Sequence, residues 1–144
     1  MVMRTATAEW RGRVRDGAGT VSLGSGAFQG SYSFGSRFEE GAGTNPEELL
    51  GAAHASCFSM ALSLLLTEAG YMPTRIRTAA QVRIERSGNG FAITHIALAT
   101  DGDVPGLDAR TFAAHAEVAS KSCPISKALA AVDITLTAEL LERS

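Results

Sequence analysis

The succession of strand-like and helix-like patterns along this chain predicts an α+β fold, with antiparallel sheets packed around one long apolar central helix. Three observations carry that expectation. Residues 5–15 alternate polar with apolar side chains, residues 49–66 are almost continuously apolar between helix start and stop signals, and strand patterns group with strands rather than alternating strictly with helices. The 144 residues, 45% apolar, suffice for a single core, so one domain over 1–144 is expected.

In order, Ala6, Ala8, Trp10, Gly12 and Val14 share one face of the first strand, with Thr5, Thr7, Glu9, Arg11, Arg13 and Arg15 on the other. Asp16-Gly17-Ala18-Gly19 is a turn signal. A short strand around Val21 and Leu23 follows, and Phe28, Tyr32 and Phe34 at even spacing extend a three-stranded antiparallel start. Gly35, Gly41 and Gly43 mark an exposed loop, with Arg37 where the third strand gives way to it.

Both ends of the central helix are written in the sequence. Asn45 is the expected N-cap, Pro46 the first helical residue and Glu48 the partner in a capping box, while Gly70 stands just past the end. Between Leu49 and Leu66 apolar residues occupy every side, so the helix must be covered all round. A domain this small covers only part of it with its own sheet, which predicts a homodimer.

After Pro73 a strand places Ile76, Thr78, Ala80, Val82 and Ile84 on one face, and Ser87-Gly88-Asn89-Gly90 turns the chain. The next strand runs from about Phe91 to Thr100. Its alternation is inconsistent: Phe91 and Ile93 point one way, Ile96 and Leu98 the other, so the inner face is undecided. A helix over about 109–121 with Asp108 as N-cap, a short helix from Pro124, and a final alternating strand of Val132, Ile134, Leu136, Ala138 and Leu140 complete the order βββα, ββ, αα, β.

Thirteen basic and fifteen acidic side chains give a net charge of −2, which supplies no drive toward nucleic acid or an anionic membrane. Arg11, Arg13 and Arg15 read as a solvated strand face. Residues 1–14 lack the apolar run of an export signal, so a cytoplasmic protein is expected. The stretch 49–66 resembles a membrane span in hydropathy, yet it holds His54, Ser56, Ser59 and Ser63 between Glu47, Glu48 and Glu68, which suits a buried core helix better.

Two cysteines in such a chain favour functional thiols over a permanent disulfide. Cys57 lies near the middle of the apolar helix. Cys123 directly precedes Pro124, so its sulfur is placed at a helix start among free backbone N–H groups, which lowers a thiol pKa. Cys57 has no such help unless a cation is brought to it, and Arg37 in Ser36-Arg37-Phe38 is the candidate. On these grounds alone Cys123 is the better nucleophile, and the alternative for each cysteine is a small buried hydrophobe.

The runs Thr44-Asn45-Pro46-Glu47-Glu48-Leu49 and Cys57-Phe58-Ser59-Met60-Ala61, followed by Cys123-Pro124, resemble the OsmC/Ohr family of osmotically inducible and organic hydroperoxide resistance proteins over nearly the whole chain. Ala53-His54-Ala55-Ser56-Cys57-Phe58-Ser59-Met60 is closer to the OsmC branch than to the Ohr branch. The resemblance implies a thiol-dependent peroxidase, an intertwined homodimer with two active sites at the subunit interface, acting in oxidative and osmotic stress defence. It also reverses the ranking of the sulfurs: Cys57 matches the peroxidatic position and Cys123 the resolving one. Arg37 and Glu47 match an ion pair beside the reactive sulfur, although an acid such as Glu47 is favoured in a first helical turn in any case.

By the same resemblance, Cys57 thiolate takes the distal oxygen of an organic hydroperoxide and becomes a sulfenic acid, Cys123 resolves it to a disulfide, and an external dithiol of lipoyl type restores both thiols. That chemistry requires no metal and no flavin. Phe, Met and Leu side chains around Cys57 are expected to favour alkyl or aryl hydroperoxides over hydrogen peroxide.

Other readings of the same residues are a metal site of His54, Cys57 and Cys123 with His95 or His115, a cysteine hydrolase with His115 or His54 as base, and a non-enzymatic ligand-binding dimer using the same cleft. The sequence has no phosphate loop, no Gly-x-Ser-x-Gly elbow and no His-Glu-x-x-His.

Overall fold

A computed structural model describes residues 1–142. The chain is α+β and divides into two compact units, Met1–Leu49 and Leu50–Ser144.

The first unit holds an antiparallel sheet of β1 (Ala6–Arg11), β2 (Ala18–Leu23) and β3 (Gln29–Tyr32), followed by a one-turn helix α1 (Phe34–Phe38). Strand β1 is shorter than the expected 5–15, because the chain turns between Arg13 and Gly17, where the Gly17 N–H donates to the Arg13 carbonyl at 2.7 Å. Only Trp10 in β1 is even partly buried, so the strand is not the half-buried one that its alternation predicts. The Trp10 ring lies 5.4 Å from that of Tyr32. The two rings cross over Gly19, where a Cβ would come within 2.5 Å of Tyr32 and 2.7 Å of Trp10, so only glycine fits at that pairing position.

The loop expected after β3 contains α1 instead. Ser33 caps it, accepting from the Ser36 N–H at 3.0 Å while the Ser36 hydroxyl accepts from the Ser33 N–H at 2.8 Å. This reciprocal box ends β3 before Phe34, which the even spacing of aromatics had placed in the strand.

The central helix α2 (Pro46–Glu68) has the predicted limits. Asn45 Oδ1 accepts from the Glu48 N–H at 2.7 Å, whereas the Glu48 carboxylate accepts from the Thr44 hydroxyl at 2.8 Å. At the other end Tyr71 N–H reaches the Leu66 carbonyl at 2.9 Å and Gly70 N–H the Thr67 carbonyl at 3.0 Å, with Gly70 at φ 95°. These two bonds make a Schellman stop, which needs the left-handed conformation at Gly70.

In the second unit β4 (Arg75–Ser87), β5 (Gly90–Asp103) and β6 (Asp133–Leu140) form a sheet in that order. The sheet is mixed, which corrects the expected all-antiparallel arrangement: β4 and β5 are antiparallel, β5 and β6 parallel. Helices α3 (Ala109–Ser122) and α4 (Pro124–Ala128) intervene between β5 and β6, and a helical crossover returns the chain in the same direction. Asp108 caps α3 through the Thr111 N–H at 2.8 Å, as expected.

A β-bulge resolves the undecided face of β5. Arg83 pairs with His95 but Ile84 pairs with Ile93, so Thr94 is an extra residue and the alternation changes phase across it. Ile93 therefore sits on the same side as Ile96 and Leu98, and Phe91 is left exposed.

The core of this unit joins Phe58, Leu62 and Leu66 of α2, Ile96 and Leu98 of β5, and Phe112, Ala116 and Ala119 of α3. Each fully buried large side chain there contributes about 1.5–3 kcal/mol. Length and composition would let α2 cross a membrane, with a mean hydropathy of 1.7, but its Phe58, Leu62 and Leu66 stripe is spent on this core. A different stripe of α2, Met60 and Leu64, is 77% and 58% exposed.

Candidate functional site

The first unit holds a partly buried ion pair. The Ser36 hydroxyl donates to the Thr44 carbonyl at 2.7 Å and Asn45 Nδ2 donates to the Ser36 carbonyl at 3.0 Å, tying α1 to the start of α2. That tie sets Arg37 opposite Glu47. Arg37 Nε and Nη2 donate to the two carboxylate oxygens, each at 2.9 Å, a bidentate pair. Glu47 is only 6% exposed, so its charge rests on this partner. The guanidinium also lies over the Phe38 ring at 5.1 Å. A cavity of about 220 Å³ opens beside it, walled by Trp10, Tyr32, Phe34 and Phe38.

The second unit holds both sulfurs. Cys57 and Cys123 are both free thiols, distant in sequence but near enough for each to act on the other's ionisation. Cys123 caps α4 as predicted, its sulfur accepting from the Ser126 N–H at 3.4 Å. Burial and the hydrogen bond to Cys123 push the Cys57 thiol above its ordinary value, against a smaller opposing effect of the Ile125 backbone. Burial also acts to raise Cys123, but the hydrogen bonds from Cys57, from the Ser126 backbone and hydroxyl, and from Ile125 hold it below its ordinary value. The better anion is thus Cys123, as the sequence suggests. It is also the sealed one, at 0% exposure, while Cys57 is partly open.

His54, one turn before Cys57 on α2, is fully buried and its Nε2 lies 2.8 Å from the Ser126 hydroxyl. Burial holds its imidazole pKa below the ordinary value. Neither His54 nor Ser126 is among the peroxidase residues to which the sequence points. The signal available was spacing alone, His54 three residues before Cys57 and Ser126 three after Cys123.

The other histidines are engaged elsewhere. His95 meets Thr135 at 2.9 Å and Asp133 at 3.4 Å, and His115 Nδ1 lies 2.8 Å from the Thr111 carbonyl. Among the described residues no three His, Cys, Asp or Glu side chains gather as metal ligands, so the four-ligand alternative does not assemble. Of the side chains next to Cys57 in sequence, Phe58 is buried in the core and Met60 is exposed.

Residues 39–137 match the family model described as OsmC-like protein. The chain belongs to the OsmC family. It is 51% identical over 140 residues to peroxiredoxin OsmC of Escherichia coli K12, covering 96% of this chain and 97% of that one. It is also 32% identical over 100 residues to the organic hydroperoxide resistance protein of Xanthomonas axonopodis pv. citri, covering 67% of this chain and 68% of that relative. Among solved structures, OhrB of Bacillus subtilis, an organic hydroperoxide resistance protein, superposes with a TM-score of 0.73 at 25% identity, over 95% of this chain and 98% of the other. An OsmC protein from Legionella pneumophila shares the fold with a TM-score of 0.75 at 23% identity, over 98% and 100%. This OsmC family member thus has the expected α+β architecture, two sheets and a central helix.

Proposed function

We propose that this OsmC family member is a thiol-dependent peroxidase that reduces organic hydroperoxides to alcohols through Cys57 and Cys123, as one functional domain over residues 1–144. One observation carries the reading: two neighbouring free thiols act on each other's ionisation, one partly open and the other fully buried. Two thiols so placed fit a peroxidatic and a resolving cysteine, and accessibility outweighs acidity in assigning them. A substrate must meet the attacking sulfur, whereas a resolving sulfur needs only to meet its partner.

In the proposed cycle the Cys57 thiolate forms a bond to the distal oxygen of the hydroperoxide, the O–O bond breaks, and the alkoxide takes a proton to leave as alcohol. Cys57 is left as a sulfenic acid. Cys123 then attacks that sulfur, the S–O bond breaks, hydroxide departs as water, and a Cys57–Cys123 disulfide remains. A dithiol reductant, of lipoyl type by family resemblance, exchanges with the disulfide and returns both thiols while becoming oxidised itself.

Cys57 needs a cation, because burial and Cys123 both resist its ionisation. We assign that role to Arg37. Glu47 fixes its Nε and Nη2, which leaves Nη1 for a thiolate or for the charge that develops on the departing oxygen. The aromatic cavity beside Arg37 is suited to an alkyl or aryl group. The exposed Met60 and Leu64 share the side of α2 that carries Cys57, at spacings of three and seven residues, and a second copy would cover them in a homodimer. The setting proposed is a cytoplasmic one, in oxidative and osmotic stress defence.

The test is anaerobic turnover of cumene hydroperoxide with a dithiol reductant, compared with hydrogen peroxide. Preference for the organic substrate, lost in Cys57→Ser, is expected. Equal efficiency with both peroxides would remove the substrate assignment, and full turnover by Cys57→Ser would remove the mechanism.

A further inference from the structure

His54 and Ser126 form a buried polar pair that the peroxidase cycle leaves unused, and they adjoin the resolving sulfur. His54 is 0% and Ser126 5% exposed. Nε2 of the imidazole is 2.8 Å from the Ser126 hydroxyl, and the Ser126 N–H is 3.4 Å from Cys123 Sγ.

The direction of these bonds follows from counting hydrogens. Burial favours the neutral imidazole, in which one ring nitrogen carries a hydrogen and the other does not. Nδ1 is buried and without a hydrogen-bond partner among the described residues. A hydrogen on Nδ1 would leave a buried N–H donor unused, which native structures tolerate less well than an unused acceptor. The hydrogen therefore belongs on Nε2, which donates to Ser126 Oγ. That bond anchors Ser126 in α4, where its backbone N–H donates to Cys123 Sγ at 3.4 Å and favours the thiolate.

We propose that His54 is a positioning residue for the resolving step, acting through Ser126 to hold Cys123 as the thiolate that attacks the Cys57 sulfenic acid. This rests on the peroxidase reading above. In that step the S–S bond forms and the S–O bond of Cys57 breaks. The proton lost by Cys123 ends on the departing hydroxide as water, so His54 gives up no proton overall. The titratable groups meeting Cys123 in this unit are Cys57, directly, and His54, through Ser126; Lys121 and Lys127 on the flanking helices are solvent-exposed.

The test is a single turnover with cumene hydroperoxide, following Cys57 sulfenic acid formation and disulfide formation separately across pH. His54→Leu and Ser126→Ala are expected to form the sulfenic acid at the wild-type rate, but to form the disulfide about tenfold more slowly at neutral pH, with its profile moved upward by about one unit. The double variant should be no slower than either single one. His54→Gln, which keeps an N–H near the position of Nε2, should recover the wild-type profile. The Cys123 thiolate, titrated by its ultraviolet absorbance in Cys57→Ala with and without Ser126→Ala, should show the same upward shift with no peroxide present. An unmoved profile in Ser126→Ala, or a slowing in His54→Leu that His54→Gln does not restore, overturns the proposal. A wild type that never oxidises would strike the peroxidase reading, while the peroxide-free titration would still decide whether Ser126 holds the thiolate.

Discussion

Cys57 and Cys123 are neighbouring thiols whose ionisations are biased in opposite directions, Cys57 up, chiefly by burial, and Cys123 down. The sulfur that solvent does not reach is thus the more acidic of the two. Ionisation of Cys57 is therefore the step that a nearby cation would assist.

The two serine substitutions should separate these roles. Cys57→Ser is expected to consume no hydroperoxide. Cys123→Ser should oxidise once and then stall or go on to sulfinic acid, because no second thiol lies beside Cys57. Mass spectrometry of each variant after one equivalent of cumene hydroperoxide checks this, and a disulfide-linked product from either would contradict it.

Arg37 should govern the pH dependence of the first step. Burial raises the Cys57 thiol, so thiolate is scarce at neutral pH without a cation and grows about tenfold per pH unit below the pKa. Arg37→Met is expected to shift the rise of kcat/KM upward by at least about one unit and to cut neutral activity about tenfold or more. It also leaves the buried Glu47 carboxylate unpaired, at a cost on the order of 1–2 kcal/mol given the partly solvated guanidinium. Glu47→Gln should weaken activity less, since the guanidinium charge survives. Steady-state pH profiles and denaturation midpoints of the three proteins measure both effects.

What the sequence made legible depended on whether its signals were local. The limits of α2 follow from Asn45, Pro46 and Gly70, each acting within one turn, and they stand as read. Capping of α4 by Cys123 was equally local. Helix α1 was missed because its serine box, Ser33 with Ser36, is hidden in a strand-like spacing of aromatics. The inner face of β5 was unreadable because a bulge at Thr94 changes the period within one strand. The parallel entry of β6 could have been inferred from the two helices before it. For the site, Arg37 with Glu47 and Cys57 with Cys123 came from family resemblance. The His54–Ser126 bond joins residues 72 apart, and no pattern within either segment announces it.

His54 should also set part of the acid sensitivity of the fold. Burial depresses its folded-state pKa below the ordinary 6.5, so the unfolded chain binds the proton more readily. Its contribution is fully present above about pH 6.5 and is lost as pH falls through the folded-state value. Urea midpoints between about pH 7.5 and 5 are expected to fall more steeply for wild type than for His54→Gln. Parallel slopes would show that the imidazole stays equally protonated in both states.

Gly70 offers a test of the helix stop free of packing effects. It holds φ 95°, and an added Cβ would meet nothing within 4 Å. Gly70→Ala is therefore expected to cost about 1 kcal/mol through backbone conformation alone. Thermal denaturation reads the loss, and the peroxidase rate should be unchanged.

The guanidinium at Cys57 should come from the partner subunit. The influences on the Cys57 thiol within one chain are burial, Cys123 and Ile125. A homodimer covering Met60 and Leu64 would also cover the side of α2 that carries Cys57, and so could deliver the partner's Arg37 there. Leu64→Glu should then weaken association and activity together, seen by sedimentation and by turnover at matched concentrations. Mixed dimers sharpen the point. Cys57→Ser and Arg37→Met homodimers should each be nearly inactive, but one subunit of each brings an intact Cys57 together with an intact Arg37 only if the arginine crosses between subunits. Recovery of about half the wild-type activity per mixed dimer, with one competent site of two, is the expected result. An inactive mixed dimer would place Arg37 and Cys57 of each site on the same chain.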